Sequence, residues 1–121
     1  MKYIKSLKMV FLTEDEISII NNLLCEVSDE CKNADAIELS QKISEYASKS
    51  FELGVTEIRA IAFCVNIIFI GGDSELERVL SKTNDYSLDS IYAAVLTDAG
   101  TQVGSHKMRN WSFYKGCVLL S

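Results

Sequence analysis

The sequence contains no proline, only 6 glycines and a single histidine among its 121 residues. Without proline and with little glycine, long uninterrupted elements are permitted, while a many-turned β-sandwich or a disulfide-knotted scaffold is disfavoured. The lone His106 and four cysteines at positions 25, 31, 64 and 117, with no C-x-x-C spacing, argue against a zinc site of the usual Cys and His kind. No metal or cofactor is expected. No apolar run reaches the roughly 20 residues that a bilayer-spanning helix needs. Lys2, Lys5 and Lys8 precede an apolar stretch that charges break by Glu14, with no small-residue cleavage site, so a signal peptide is not expected. In a cytoplasmic chain the cysteines then read as reduced, packed thiols. Repeats, low-complexity tracts and linkers are also missing. With 48% apolar residues the chain has material for a core, and the expectation is one domain over residues 1–121.

What is present is organised around Ile58 to Ile70, I-R-A-I-A-F-C-V-N-I-I-F-I, in which only Arg59 and Asn66 are not apolar. As a helix this stretch rises about 20 Å and is apolar nearly all round, which describes a buried helix. Val65, Ile67, Ile68 and Ile70 suit a strand as well, so a helix that turns into a strand near Val65 is the rival. Three features favour the helix. Arg59 and Asn66 fall within about 20° of one another on a helical wheel. Thr56 and Glu57 offer a cap and an acid at the start, and Gly71-Gly72 offers a stop. Arg59, on a largely buried helix, requires a carboxylate or carbonyls, a structural role.

Around this centre the capping signals place further helices. Leu7 to Leu12 alternates as a short strand and ends at Thr13, which with Glu16 forms a capping box, Leu12 and Ile17 acting as the staple. The first helix then runs to about Glu30, burying Ile17, Ile20, Leu24, Val27 and Cys31. A second starts near Asp35, with Glu38 returning to the cap, and stops at Gly54; its inner side is Leu39, Ile43, Tyr46, Ala47 and Phe51. Glu38 with Lys42 and Glu45 with Lys49 balance its outer face. Ser74 to Glu77 reads as a third capping box, for a short helix that dissolves at Thr83-Asn84-Asp85. A last helix spans about Leu88 to Ala99, with Ile91, Tyr92, Val95 and Leu96 inward and Gly100 as stop. Beyond it the helical period is lost, and Cys117 to Leu120 reads as a final strand, set beside Met9 to Leu12. The expected fold is thus mostly α, a compact helical bundle around the central helix (about 57–70) with short strands near both termini; an α+β fold with a small antiparallel sheet is the alternative.

Net charge is −5, distributed unevenly: +3 over residues 1–12, −7 over 13–54 and −1 over 55–121. Concentrated acidity disfavours general nucleic-acid binding and suits a basic partner. Glu14, Asp15, Glu16, Glu57, Glu75 and Glu77 sit in first helical turns, where the macrodipole favours them, and Glu38 and Glu45 have their lysines. Glu26, Asp29 and Glu30 have neither support: they fall at the end of the first helix, three and four residues apart, on the side opposite Leu24, with Asn22 and Ile19. Ile19, Asn22, Glu26, Asp29 and Glu30 are therefore the candidate partner-binding surface, weighed against an ordinary solvated face. The functional expectation is a small acidic protein-binding module, of the kind represented by an immunity protein or antitoxin that neutralises a basic toxin or nuclease.

Two alternatives remain. Lys107, Arg109, Trp111, Tyr114 and Lys115 interleave bases with aromatics, as single-stranded nucleic-acid binders do. An enzyme would have to use His106, with Cys117 and Asp98 as the only available companions, and nothing in their spacing brings these three together. Gly71-Gly72-Asp73-Ser74 lacks the lysine and spacing of a phosphate loop and reads as a capped turn.

Overall fold

In the computed structural model of the chain, which describes residues 1–97 and 111–120, two short strands and six helices follow one another: β1 (Lys2–Ile4), β2 (Met9–Phe11), α1 (Glu14–Val27), α2 (Asp29–Lys32), α3 (Ala36–Glu52), α4 (Ile58–Leu80), α5 (Leu88–Thr97) and α6 (Trp111–Val118). The fold is mostly α, as its composition and capping pattern require. The strands pair antiparallel, Lys2 opposite Phe11, Tyr3 opposite Val10 and Ile4 opposite Met9. Tyr3 stacks on Phe51, ring centroids 4.3 Å apart, which lays the hairpin on α3.

Residues 60–68 of α4 are all buried, and the helix packs chiefly against α3 and α5, with α6 also in contact. The stretch is helical throughout, including Val65 to Ile70, where tertiary burial overrides the β-branched preference for strand. The Gly71-Gly72 stop is a kink instead. Gly72 takes φ 82° and ψ 179°, open to glycine and closed to other residues, and the helix resumes to Leu80. The Ser74 capping box is not made: no hydrogen bond joins Ser74 to Glu77 among the described residues, and Glu75 pairs with Arg78. The start of α4 also differs: Glu57 is the N-cap residue and makes no side-chain cap bond. No described helix is long and apolar enough to cross a membrane.

The local signals at α1 and α3 hold more closely. Thr13 Oγ1 accepts from the Glu16 amide at 3.1 Å while Glu16 Oε1 accepts from the Thr13 amide at 2.8 Å, the reciprocal box. Asp35 caps the Ile37 amide at 3.1 Å, but Glu38 turns to Lys42 at 3.7 Å instead of returning. At the other end of α3 the Val55 amide donates to the Ser50 carbonyl and the Gly54 amide to Phe51, a Schellman closure with Val55 buried.

Three further expectations are corrected. Cys117 and Val118 end a helix, α6, so the strand expected there is replaced and β2 pairs with β1. The helical period is obscured at α6 because its apolar residues lie on both sides: Phe113 and Cys117 face the core while Trp111 and Val118 face out. A glycine at position 116 is accommodated because a Cβ there would lie 2.3 Å from Leu23 Cδ2, so α1 and α6 touch through it. Leu96 is exposed; the buried side of α5 is formed by Leu88, Ile91, Tyr92, Ala94 and Val95.

The two polar residues of α4 have opposite fates. Arg59 Nε donates to the Leu120 carbonyl at 2.6 Å, tying the end of α6 to the central helix. Asn66 is 1% exposed, and neither its Oδ1 nor its Nδ2 has a hydrogen-bond partner among the described residues.

Candidate protein-binding groove

The first helix does not reach Glu30. It ends at Val27, and Ser28, at φ −141° and ψ 118°, is both its C-cap and the N-cap of α2, where its Oγ accepts from the Cys31 amide at 3.3 Å. Asp29 and Glu30 thereby become first-turn acids of a new helix, favoured by its dipole, and no longer share a helical face with Glu26. Ile19, Asn22, Glu26, Asp29 and Glu30 are all exposed, as their spacing implies. The electrostatic strain that singled them out survives only at Glu26.

The basic and aromatic segment is divided. His106, Lys107 and Arg109 lie outside the described residues, as do Asp98 and the expected stop at Gly100. Trp111, Tyr114 and Lys115 stand on α6. Tyr114 packs against both Tyr92 (4.3 Å, 17°) and Trp111 (5.2 Å, 25°), which are themselves 6.3 Å apart, and its hydroxyl donates to Asp89. That bond raises the Tyr114 pKa above the ordinary phenol value. Tyr114, Tyr92 and Trp111 thus form one aromatic cluster, in which Trp111 is 58% exposed with Lys115 Nζ 6.0 Å from its ring centre. Cys117 is fully buried, and burial alone pushes its thiol up to about 12, so it is not an ionised nucleophile near neutral pH.

The feature with the geometry of a binding site is an open cavity of about 970 Å³ along the outer side of α3. Ile37, Gln41, Ser44, Ser48 and Glu52 recur every three or four residues and form its length; β2 and Ile17 contribute to one part of the lining, Ile68, Gly72 and Asp73 to another. Its apolar content is large side chains left in solvent: Ile37 is 70% exposed, Phe11 46% and Met9 41%. Charge in the lining is three carboxylates, Glu45, Glu52 and Asp73, against the single ammonium of Lys49, or −2 net. Lys49 lies 3.3 Å from Asp73 and so does not pair with Glu45 as the helical spacing suggests. Glu45 and Glu52 have no ion-pair partner among the described residues. A smaller cavity of about 350 Å³ near Tyr86 is polar, and its Asp85 is already engaged by the hydroxyls of Ser90 and Ser87, which lower its pKa.

Sequence reasoning passed over this groove, although one signal pointed to it. Ile37 lies two residues, about 200° of helix, from the buried Leu39 and so cannot share its face. Comparison of the chain with protein-family models, with curated proteins and with solved structures found no match in any of the three. Function is therefore argued from the groove and its charges.

Proposed function

We propose that the chain is a small acidic protein-binding module that holds a cationic segment of a partner protein in the groove on α3. The observation that supports this reading is the coincidence, on one open cavity, of exposed Ile37, Phe11 and Met9 with the unpaired carboxylates of Glu45 and Glu52. An apolar strip rimmed by charge of one sign is the pattern of a surface that excludes water at its centre and selects its partner electrostatically at its edge. Binding of a basic toxin or nuclease, as by an immunity protein or antitoxin, is the biological setting proposed for it, by analogy of charge and size.

The test uses a fluorescein-labelled peptide of leucine and lysine, followed by anisotropy at several salt concentrations. Glu45→Lys with Glu52→Lys lowers affinity by about tenfold or more and flattens the salt dependence. Ile37→Ser with Phe11→Ser weakens binding while leaving the salt slope unchanged. Glu26→Lys with Glu30→Lys, outside the lining, leaves both unchanged. Equal affinity and equal salt slope in wild type and in both groove variants refute the proposal; loss confined to the Glu26 and Glu30 variant moves the site to α1.

A further inference from the structure

We infer that the occupant of the groove is an amphipathic helix of the partner, about four turns long, with apolar residues on one side and Lys or Arg flanking them. This rests on the protein-binding reading above and specifies the partner's form.

The first argument is length and direction. The residues that line the floor follow one side of α3 from Ile37 to Glu52, fifteen residues apart, so the groove runs along the helix axis for about 22 Å. A partner helix of similar length lies along such a floor with its own ridges against those of α3.

The second concerns backbone hydrogen bonds. An extended segment laid in the groove must satisfy its amides and carbonyls from the walls, most simply by adding to a strand edge. The amide of Val10, in the middle of β2, is already taken: it donates to Ser48 Oγ at 2.9 Å. The hydroxyls of Ser40 and Ser48 in turn donate to the carbonyls of Ala36 and Ser44 within α3. The outward amide of β2 and the hydroxyls of Ser40 and Ser48 are thus engaged internally and do not serve an extended chain. A helix satisfies its own backbone and asks the groove only for apolar contact and charge.

The third is charge. The lining's net −2, with Lys49 already beside Asp73, leaves Glu45 and Glu52 to meet cations that flank an apolar stripe. The lysines of the hairpin, Lys2, Lys5 and Lys8, are not in the lining.

Three synthetic peptides of about 18 residues and identical Leu, Ala and Lys composition decide the matter, one with leucine at helical spacing, one alternating and one scrambled. Each is titrated into isotope-labelled protein while amide shifts and peptide circular dichroism are recorded, and sedimentation equilibrium is run on the free chain. The helical-pattern peptide binds at least about tenfold tighter than the alternating one, gains helix on binding and shifts Ile37, Ser44 and Glu52. Glu45→Lys with Glu52→Lys lowers its affinity by about tenfold. If the alternating peptide binds as well at the same residues, the helical occupant is wrong and the cationic-segment reading stands. If the scrambled peptide binds as well, shape plays no part and the inference fails. Absence of groove shifts with all three peptides overturns both readings. Self-association of the free chain that protects Ile37 and Phe11 replaces the partner helix with a second copy.

Discussion

Asn66→Leu is expected to make the protein more stable. The carboxamide lies on the central helix at 1% exposure, its oxygen and nitrogen both without a partner among the described residues. Burial of an amide without compensating hydrogen bonds costs about 1–3 kcal/mol on the scale of protein mutations. Leucine has the same number and branching of side-chain heavy atoms, removes that cost and adds buried apolar surface; its bulkier methyl groups return up to about 1–3 kcal/mol as overpacking. The expected balance is a gain of about 2 kcal/mol. Unfolding entropy of about 2.1 cal/mol/K per residue gives about 0.25 kcal/mol/K for a chain of 121 residues, so each kcal/mol moves the midpoint by about 4 °C. Thermal unfolding followed by circular dichroism should therefore shift upward by about 8 °C, and the urea midpoint should rise with an unchanged slope. A midpoint that is unchanged or lower refutes the reasoning. Asn66→Asp provides the opposite arm: an unpaired carboxyl at the same place must stay protonated or bring in water, and the midpoint should fall.

Three other substitutions probe separate features. Gly116→Ala drives a Cβ to 2.3 Å from Leu23 Cδ2 and should destabilise by about 1–3 kcal/mol; in a Leu23→Ala background most of that penalty should vanish, and its persistence in a double-mutant cycle would show that the close approach is not its cause. Gly72→Ala meets nothing within 4 Å, so its cost is backbone alone, about 1–3 kcal/mol in denaturant titration, and a neutral result would mean that the kink relaxes into regular helix. Burial raises the thiols of Cys117, to about 12, and of Cys64, whereas in the unfolded chain both ionise near about 8.5. The unfolded state then holds fewer protons above that pH, so stability should fall with rising pH by up to about 1.4 kcal/mol per unit per thiol, with no such effect below it. Cys117→Ala should remove its share of the slope between pH 9 and 11 in urea titrations, and identical slopes would contradict the assignment.

How much of this was legible depends on whether the signal was local. The Thr13 and Glu16 box and the Gly54 closure use residues within a few positions of one another, and short-range spacing displays them directly. The helicity of Val65 to Ile70 was legible from the matched positions of Arg59 and Asn66 despite four β-branched residues. Ser28 was misjudged because a helical reading of residues 14–30 is continuous in apolar period, while the S-D-E run that restarts the helix is itself a cap signature. The helix at residues 111–118 was hidden for a different reason. Its outward Trp111 and Val118 blur the period, and the glycine at 116 looks like a breaker until Leu23 of another helix is seen to fill the space. The groove was least legible, since its walls come from β2, α1, α3 and α4 and only their packing brings Phe11, Ile37 and Asp73 to one surface.

The organising helix and the candidate site meet at one residue. Up to Ile70 the sequence of α4 is fixed by burial, and no acid lies within that stretch. At Gly72 the chain takes a conformation that no β-carbon tolerates well, and the next residue, Asp73, stands 3.3 Å from Lys49 of α3. The bridge is half exposed at both ends and contributes at most about 1 kcal/mol, so it is not what holds the helices together. Its consequence is electrostatic. Lys49 is the only base among the described lining residues, and drawing it to Asp73 leaves Glu45 without the lysine that its helical spacing offers. A straight, uninterrupted α4 would place residue 73 at a different rotation, free Lys49 to pair with Glu45 four residues before it, and leave the groove less able to select a cation. The glycine that ends the buried run is thus also the residue on which the charge of the groove depends.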